Sequence, residues 1–408
     1  MSEPTSLRIA IIGAGIGGLA AARVFREGNH QVTVYERNAE DAPEVGAAVG
    51  LGPNGSKMAK TLGLSRDILK PVVSSGFRSY DQHGTLLRES PMNCEKAFGS
   101  EWWMVHRQDL RAALLEAAVG RGPEIPGRPV EIVYQTAVDE VDAEHGIVTF
   151  ADRSTTQVDL IIGADGVRSK ARSAVVGLNQ FDPVPVNLSL YRFTAPTAEV
   201  HQLLEAIPEP LSTEKGAFLL SFVADDGSNR NVVIYPCRNL EVLNFACAVP
   251  DTLLQQKSEQ SWTMDGDLKE MLGHFKDFPP WLYAIMEKLD TVKLYQLRDA
   301  DPIPSFVKGR VALIGDAAHP MVPYQGQGAN QALEDAEGLR LFADAGASRD
   351  DVARILAKWD LLRRPRASQV QQYSRIAAAK VSPQVMMERM KFNWTYDGIG
   401  SVSDSESR

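Results

Sequence analysis

Three features of the sequence predict an α/β fold of the doubly wound kind with a second sheet inserted into it. A short apolar run breaks into closely spaced glycines and leads through a helix and a strand to an acid, over residues 8–36. Four strand-like runs without a long helix between them occupy residues 187–250, and a second apolar run ends in Gly315-Asp316 ahead of another small-residue helix start. These features place a Rossmann-like domain over residues 1–176 and a mainly antiparallel-sheet domain over 177–290. The first domain is completed over 291–390, where C-terminal helices are also expected, and a tail covers 391–408.

In order along the chain, Ile9, Ala10, Ile11 and Ile12 lack polar alternation, as a parallel strand buried on both faces does. Gly13, Gly15 and Gly18 follow in GxGxxG spacing. The first suits a tight turn, the second lets backbone approach a pyrophosphate, and the third lets the next helix lie close to the sheet. Leu19, Ala20, Ala22, Val24 and Phe25 continue that helix, whose first N–H groups face an anion, and Gly28 ends it. Residues 31–35 form the second strand, and Glu36 closes it where a carboxylate accepts a hydrogen bond from a ribose hydroxyl. Strand, glycines, helix, strand and terminal acid in this order predict a dinucleotide site.

Residues 44–54 are rich in small side chains, Ala48 among them, which lets backbone approach a flat ligand or simply makes a turn-rich connector. A helix is expected over 55–62 and a hairpin over 77–87, around His83-Gly84. A helix over 105–118 carries Arg107 in its first turns, against the dipole preference, so a bound anion is a reason for it to be there. Residues 130–150 alternate like antiparallel strands, and 160–166 form a buried strand ending in Gly163-Ala164-Asp165-Gly166. The four runs that mark the second domain are 188–194, 217–223, 231–235 and 243–249. Helical segments over 267–275 and 281–288 precede the return strand, 310–314.

The chain has 408 residues and a formal net charge of −9. No basic stripe is available to neutralise phosphates, so a small molecule, rather than nucleic acid, is the expected partner. Cys94, Cys237 and Cys247 are odd in number and widely spaced, which suits a reducing compartment. His83, His106, His145, His201 and His274 fall in turns or helices without ligand spacing, and no metal is expected. The opening MSEPTSLR is too short and polar for a signal peptide, and no run of eighteen apolar residues occurs, so a cytoplasmic protein without a transmembrane segment is expected. The closing SVSDSESR reads as a disordered tail, and monomer and homodimer both stay open.

The run GDAAHPMVPYQGQGAN, residues 315–330, puts a carboxylate at a strand end, then a Pro/Gly loop, then a helix start. With GxGxxG and Glu36, Arg107 in HRQDLR, and GADGVRS from Gly163, it resembles the single-component FAD-dependent aromatic hydroxylases. The sequence is most similar to their salicylate hydroxylase and 3-hydroxybenzoate 6-hydroxylase branch, which includes fungal enzymes of secondary metabolism acting on phenolic polyketides. The resemblance implies that Gly13, Gly15, Gly18 and Glu36 hold the ADP half of FAD, with Arg37 and Ala48 also at the cofactor. It places Arg107 near the pyrophosphate and ribitol, Asp316 on the ribitol, and Gly328, Ala329 and Asn330 under the pyrimidine ring of the flavin. Asp165 matches an aspartate serving both FAD and the approach of the nicotinamide cofactor. There is no second GxGxxG, as expected if NADPH or NADH visits transiently.

The implied chemistry is NAD(P)H- and O2-dependent hydroxylation of a phenolic ring through a flavin C4a-hydroperoxide, ortho or para to the hydroxyl. Decarboxylation or dearomatisation follows if that carbon is already substituted. A phenol reacts faster as its phenolate, so a cation or base should lie nearby. Arg192 is the candidate phenolate or carboxylate partner and Tyr235 the candidate orienting hydroxyl. Tyr191 and Arg192 sit on one strand and point to opposite faces, so at most one of them faces a substrate. Tyr191, Pro320, Pro323 and Tyr324 complete the expected substrate side, Met321 and Val322 are expected to pack, and His319 belongs to the motif without being the general base. The alternatives are a flavin halogenase, whose WxWxIP signature is missing, a flavin reductase acting on isoprenoids, and a non-catalytic flavin-binding regulatory protein.

Overall fold

The computed structural model describes residues 6–42, 48–122, 125–177, 181–255, 263–343, 347–376 and 382–401. Residues 44–47 of the small-residue stretch, residues 1–5 of the opening and residues 402–408 of the expected tail lie outside the described residues.

Arg8–Ile12 lies in the middle of a six-stranded sheet and pairs in parallel with Leu160–Gly163 on one side and Gln31–Tyr35 on the other. Val311–Leu313 extends the sheet in parallel beyond Leu160–Gly163, and Val307–Lys308 closes that edge as an antiparallel strand. The four strands that end at Gly13, Glu36, Asp165 and Asp316 are therefore adjacent and run the same way. Their carboxyl ends, at Gly13, Glu36, Asp165 and Asp316, meet along one edge, the crevice where open parallel sheets bind ligands. The helix Ile16–Glu27 packs on this sheet beneath the helices Arg107–Val119 and Gly328–Gly338. Residues 130–150 divide, contrary to the antiparallel expectation. Glu131–Val133 joins the first sheet in parallel, and only Val138–Asp142 and Ile147–Phe150 form an antiparallel pair, to which Thr155–Gln157 adds.

The four runs that mark the second domain are present as Val184–Pro196, Ala217–Val223, Asn231–Cys237 and Val242–Pro250. They form the centre of a larger sheet that recruits strands from both flanking segments. Val72–Asp81, Trp103–His106 and Ala48–Leu51 extend it at one end, and Lys293–Asp299 and Thr263–Asp265 at the other. The sheet thus crosses the expected boundaries at 177 and 290, because cross-strand pairing over long separations leaves no local mark in a hydrophobic pattern. One face carries Tyr191, Phe193, Phe222, Ile234, Phe245 and Cys247 into an outer core under the helices Leu268–Phe275 and Pro280–Met286. The other face looks inward, to the first sheet.

The C-terminal helices are Val352–Ser374 and Pro383–Trp394. The second runs past residue 391, and Tyr396 and Ile399 are buried behind it, each donating a hydrogen bond to Glu337. The expected tail from 391 is corrected on that ground. No helix among the described residues is long and apolar enough to cross a membrane.

Candidate active site

At the strand-end edge, Gly13 has φ +102°, and a Cβ there would stand 2.6 Å from the carbonyl oxygen of Ala164. A Cβ on Gly18 would overlap the carbonyl oxygen of Gly13. Both glycines are demanded by the fold itself. Gly15 is different, since a Cβ there meets no protein atom within 4 Å, and the same holds for Gly328 at the start of its helix. Two small residues thus face open space at helix N-termini, which fits a group carrying phosphates or a flat ring rather than protein packing. Glu36 accepts hydrogen bonds from Ala14 N (2.8 Å) and from both nitrogens of Asn38 (2.8 Å each), which fixes the carboxylate beside the glycine turn. Arg37 is exposed at the rim. Arg111, one helical turn after Arg107, donates through Nε to Ala14 O at 3.0 Å, so the second arginine of HRQDLR is bonded to the glycine loop.

Asp165 caps a short helix, Lys170–Val176, accepting from Lys170 N (2.7 Å), Ala171 N (3.2 Å) and Ser169 Oγ (2.6 Å). That helix carries Arg172, buried, whose guanidinium donates to Ala317 O (2.8 Å), Asp316 O (2.7 Å) and Val167 O (3.0 Å). One side chain therefore ties the two motif loops together. Asp316 is exposed yet ringed by protein, as a residue lining a cleft is. Crowding lifts its carboxyl above the ordinary value, against the pull of His319, Arg107 and Arg172.

Beneath Asp316, His319 Nε2 meets Asp335 Oδ2, which also accepts from Gly315 N at 2.9 Å. Arg363 donates to Asp335 (2.9 Å) and Glu334 (2.7 Å), and Arg366 donates to Glu334 (2.7 Å). Burial pushes both carboxyls up, but the cations outweigh it and hold Glu334 and Asp335 below their ordinary values. Asn330 is wholly buried, and its amide accepts from Gly52 N (2.9 Å) and donates to Gly50 O (3.0 Å) and Gly326 O (2.7 Å). Its side chain brackets the small-residue strand, leaving the backbone of Gly328 and Ala329 on the open side.

On the second sheet, alternation separates the two neighbours as expected. Tyr191 turns into the outer core, where it is wholly buried beside Gly266, so the expected substrate contact for Tyr191 is corrected. Arg192 turns inward, donates to Ala48 O at 2.9 Å and stacks on Tyr295 with 5.6 Å to the ring centroid. Asn244, from the adjoining strand, accepts Ala48 N at 3.0 Å, so two inner-face side chains close the outward edge of the last strand in the sheet. Tyr235 pairs across from Asn244 and lies in an apolar cluster with Trp102, Met104 and Trp394. Its burial pushes the phenol up to about 12, with Arg192 opposing. Burial lowers Arg107, as does the nearby Arg192, while Asp316 acts the other way. Pro323 and Tyr324 lie exposed on a 3-10 turn, whereas Pro320 is buried against the long C-terminal helix, where its carbonyl accepts from Gln371 (2.8 Å). Val322 packs as expected.

Arg172, Asn244 and Tyr295 were not singled out from sequence. Asn244 alone left a trace, as a polar residue interrupting the apolar strand VLNFACAVP.

Residues 6–374 match the family described as FAD binding domain. The chain is 32% identical over 385 residues to the FAD-dependent monooxygenase cfoG of Aspergillus candidus, covering 93% of this chain and 87% of that protein. It is 32% identical over 381 residues to a salicylate hydroxylase of Pseudomonas putida, with 90% and 84% covered. A solved salicylate hydroxylase substrate complex superposes with a TM-score of 0.77 at 25% identity, over 98% of this chain and 97% of that one.

Proposed function

The chain belongs to the FAD-dependent aromatic hydroxylases, and from that premise we propose that it hydroxylates a phenolic ring at the expense of NAD(P)H and O2. In that reaction one oxygen atom enters the ring and the other leaves as water, while NAD(P)H is oxidised to NAD(P)+. Gly13, Gly15, Gly18 and Glu36 would hold the ADP half of FAD, Asp316 the ribitol, and the backbone of Gly328 to Asn330 the flavin end. Bound FAD supplies the electrons and the oxygen activation.

The observation that carries this reading is that Arg192, Tyr235 and Tyr295 share the inner face of the second sheet, with Arg107 near Arg192 and Tyr295 and with Asp316 near Arg107. Two cations beside two phenols make a place for an anionic ring oxygen. Arg192 lowers the cost of ionising a substrate phenol, which raises its nucleophilicity at the ortho and para carbons. Tyr235, held protonated, donates a hydrogen bond that orients the ring. The apolar cluster around Trp102 and Trp394 keeps water from this end of the site. A substrate already substituted at the attacked carbon would lose carbon dioxide or its aromaticity.

The test is stopped-flow reduction of the protein's flavin by NADPH and by NADH, with and without a panel of phenolic acids and resorcinols. One compound should accelerate reduction by orders of magnitude and yield a product heavier by one oxygen. A flavin whose reduction ignores every phenol would overturn the proposal.

A further inference from the structure

Asp316 stands apart in its stretch, since it is exposed while every other residue from Val311 to Pro320 is buried. The turn after the strand therefore presents this one side chain to the cleft. It does so from weak local structure, a 3-10 turn of three residues, Gly315–Ala317, entered through φ +58° at Gly315. Crowding also lifts the Asp316 carboxyl above its ordinary value, so the presented carboxylate works against the conformation that holds it there. Restraint comes from outside the turn. Asp335 Oδ2 accepts from Gly315 N at 2.9 Å and meets His319 Nε2, and these two residues lie on either side of Asp316. Asp335 Oδ1 serves a different partner, accepting from Arg363 Nε (3.1 Å) and Nη2 (2.9 Å). An ion pair with Arg363 would need Oδ1 alone; Oδ2 is given to the turn. Asp335 itself is wholly buried in the helix Gly328–Gly338, about two turns from Gly328.

We infer that Asp335 is a positioning residue, which through Gly315 and His319 fixes the turn presenting Asp316, and through its helix fixes the spacing between Asp316 and the helix start at Gly328. A cofactor that touches both places binds more tightly when that spacing is set beforehand. This rests on the reading above, in which Asp316 holds the ribitol of FAD and the backbone from Gly328 holds the flavin end. A carboxylate suits the task because it offers an acceptor oxygen to each side. An asparagine there keeps its single oxygen on Arg363 and turns an NH2 toward Gly315 N.

The experiment is a double-mutant cycle on the Kd of FAD, read from the rise in flavin fluorescence as the holoenzyme is diluted, for the wild type, Asp316→Ala, Asp335→Asn and the double variant. Asp316→Ala should weaken FAD binding by about tenfold or more. Asp335→Asn should weaken it by about fivefold or more when Asp316 is present and by less than about twofold when it is absent, because the effect passes through that carboxylate. A loss that persists in the Asp316→Ala background would mean that Asp335 serves the helix or the fold at large. That result overturns the assignment while the ribitol reading stands, as does unchanged affinity in Asp335→Asn. If Asp316→Ala binds FAD as the wild type does, the ribitol reading falls and takes this assignment with it. Should Asp335→Asn yield no folded holoenzyme, His319→Leu, which removes the other bond to the same oxygen, takes its place in the cycle and is read by the same rule.

Discussion

His319 Nε2 lies 2.6 Å from Asp335 Oδ2, and both side chains are wholly excluded from solvent. Because Asp335 is held ionised, the proton in that bond sits on the imidazole, which is therefore a donor to a structural carboxylate. His319→Leu should cost about 1–3 kcal/mol of stability in urea unfolding, from the partner lost to Asp335. The pH profile of turnover should keep its shape. A variant as stable as the wild type but missing one limb of that profile would make His319 a catalytic base.

Arg363 neutralises two carboxylates at once, and Arg363→Met should cost about 3–5 kcal/mol at neutral pH. In the wild type Glu334 and Asp335 have lowered folded values, so their contribution is complete above their ordinary range and is lost as pH falls through the lowered values. Without Arg363, Asp335 keeps only His319 and Gly315 N against the burial that pushes it up, so its carboxyl should rise, and wherever it rises above the ordinary value stability falls as pH rises. The deficit of the variant, read from urea midpoints, should be smaller at about pH 5 than at about pH 7.5. A deficit independent of pH would show that packing, not charge, is what Arg363 provides.

The glycines of the first turn should separate folding from cofactor binding. Gly18→Ala forces a methyl against the Gly13 carbonyl and should destabilise the FAD-free protein by about 1–3 kcal/mol. Gly15→Ala meets open space, so the FAD-free protein should melt within a few degrees of the wild type. Its affinity for FAD, followed by flavin fluorescence quenching, should fall about tenfold or more, which corresponds to roughly 1.4 kcal/mol. Equal FAD affinity in Gly15→Ala would mean that the open space is not where the phosphates lie.

Tyr235 stays protonated well above neutrality, since its phenol is pushed up to about 12. Tyr235→Phe should lower kcat/KM about tenfold, the worth of one hydrogen bond to an anionic oxygen. It should leave both apparent pKa values of the pH profile in place. Loss of a basic limb in this variant would assign Tyr235 a proton-transfer role.

Much of the strand-end edge was legible because parallel strands buried on both faces leave unbroken apolar runs, and the groups at their ends stand at fixed offsets. Gly13, Glu36, Asp165 and Asp316 were placed in this way. What hid the rest was distance along the chain. Nothing local in residues 72–81 says that they pair with the strand Ala217–Val223, nor in residues 48–51 or 103–106 that they continue the same sheet. Arg172 reads as a surface residue of KARSAVV until the fold buries it between two loops. Arg111 shares a helix face with Arg107 at i and i+4, but the motif alone did not say that it would bond to the glycine turn. Alternation separated Tyr191 from Arg192, but only the layer order showed which of them faces inward.

The closed edge at Ala48 also bears on how the protein is made. Ala48 meets Asn244 across 196 residues of chain, and Gly52 meets Asn330 across 278. At about 5–20 residues per second, the first strand of the second sheet leaves the ribosome on the order of ten to sixty seconds before its last anchor is synthesised. During that interval its outward N–H and C=O groups are an open template for pairing with another chain. Yield in a heterologous host should therefore depend on translation rate and on chaperones that shield nascent strands more than on the stability of the finished molecule.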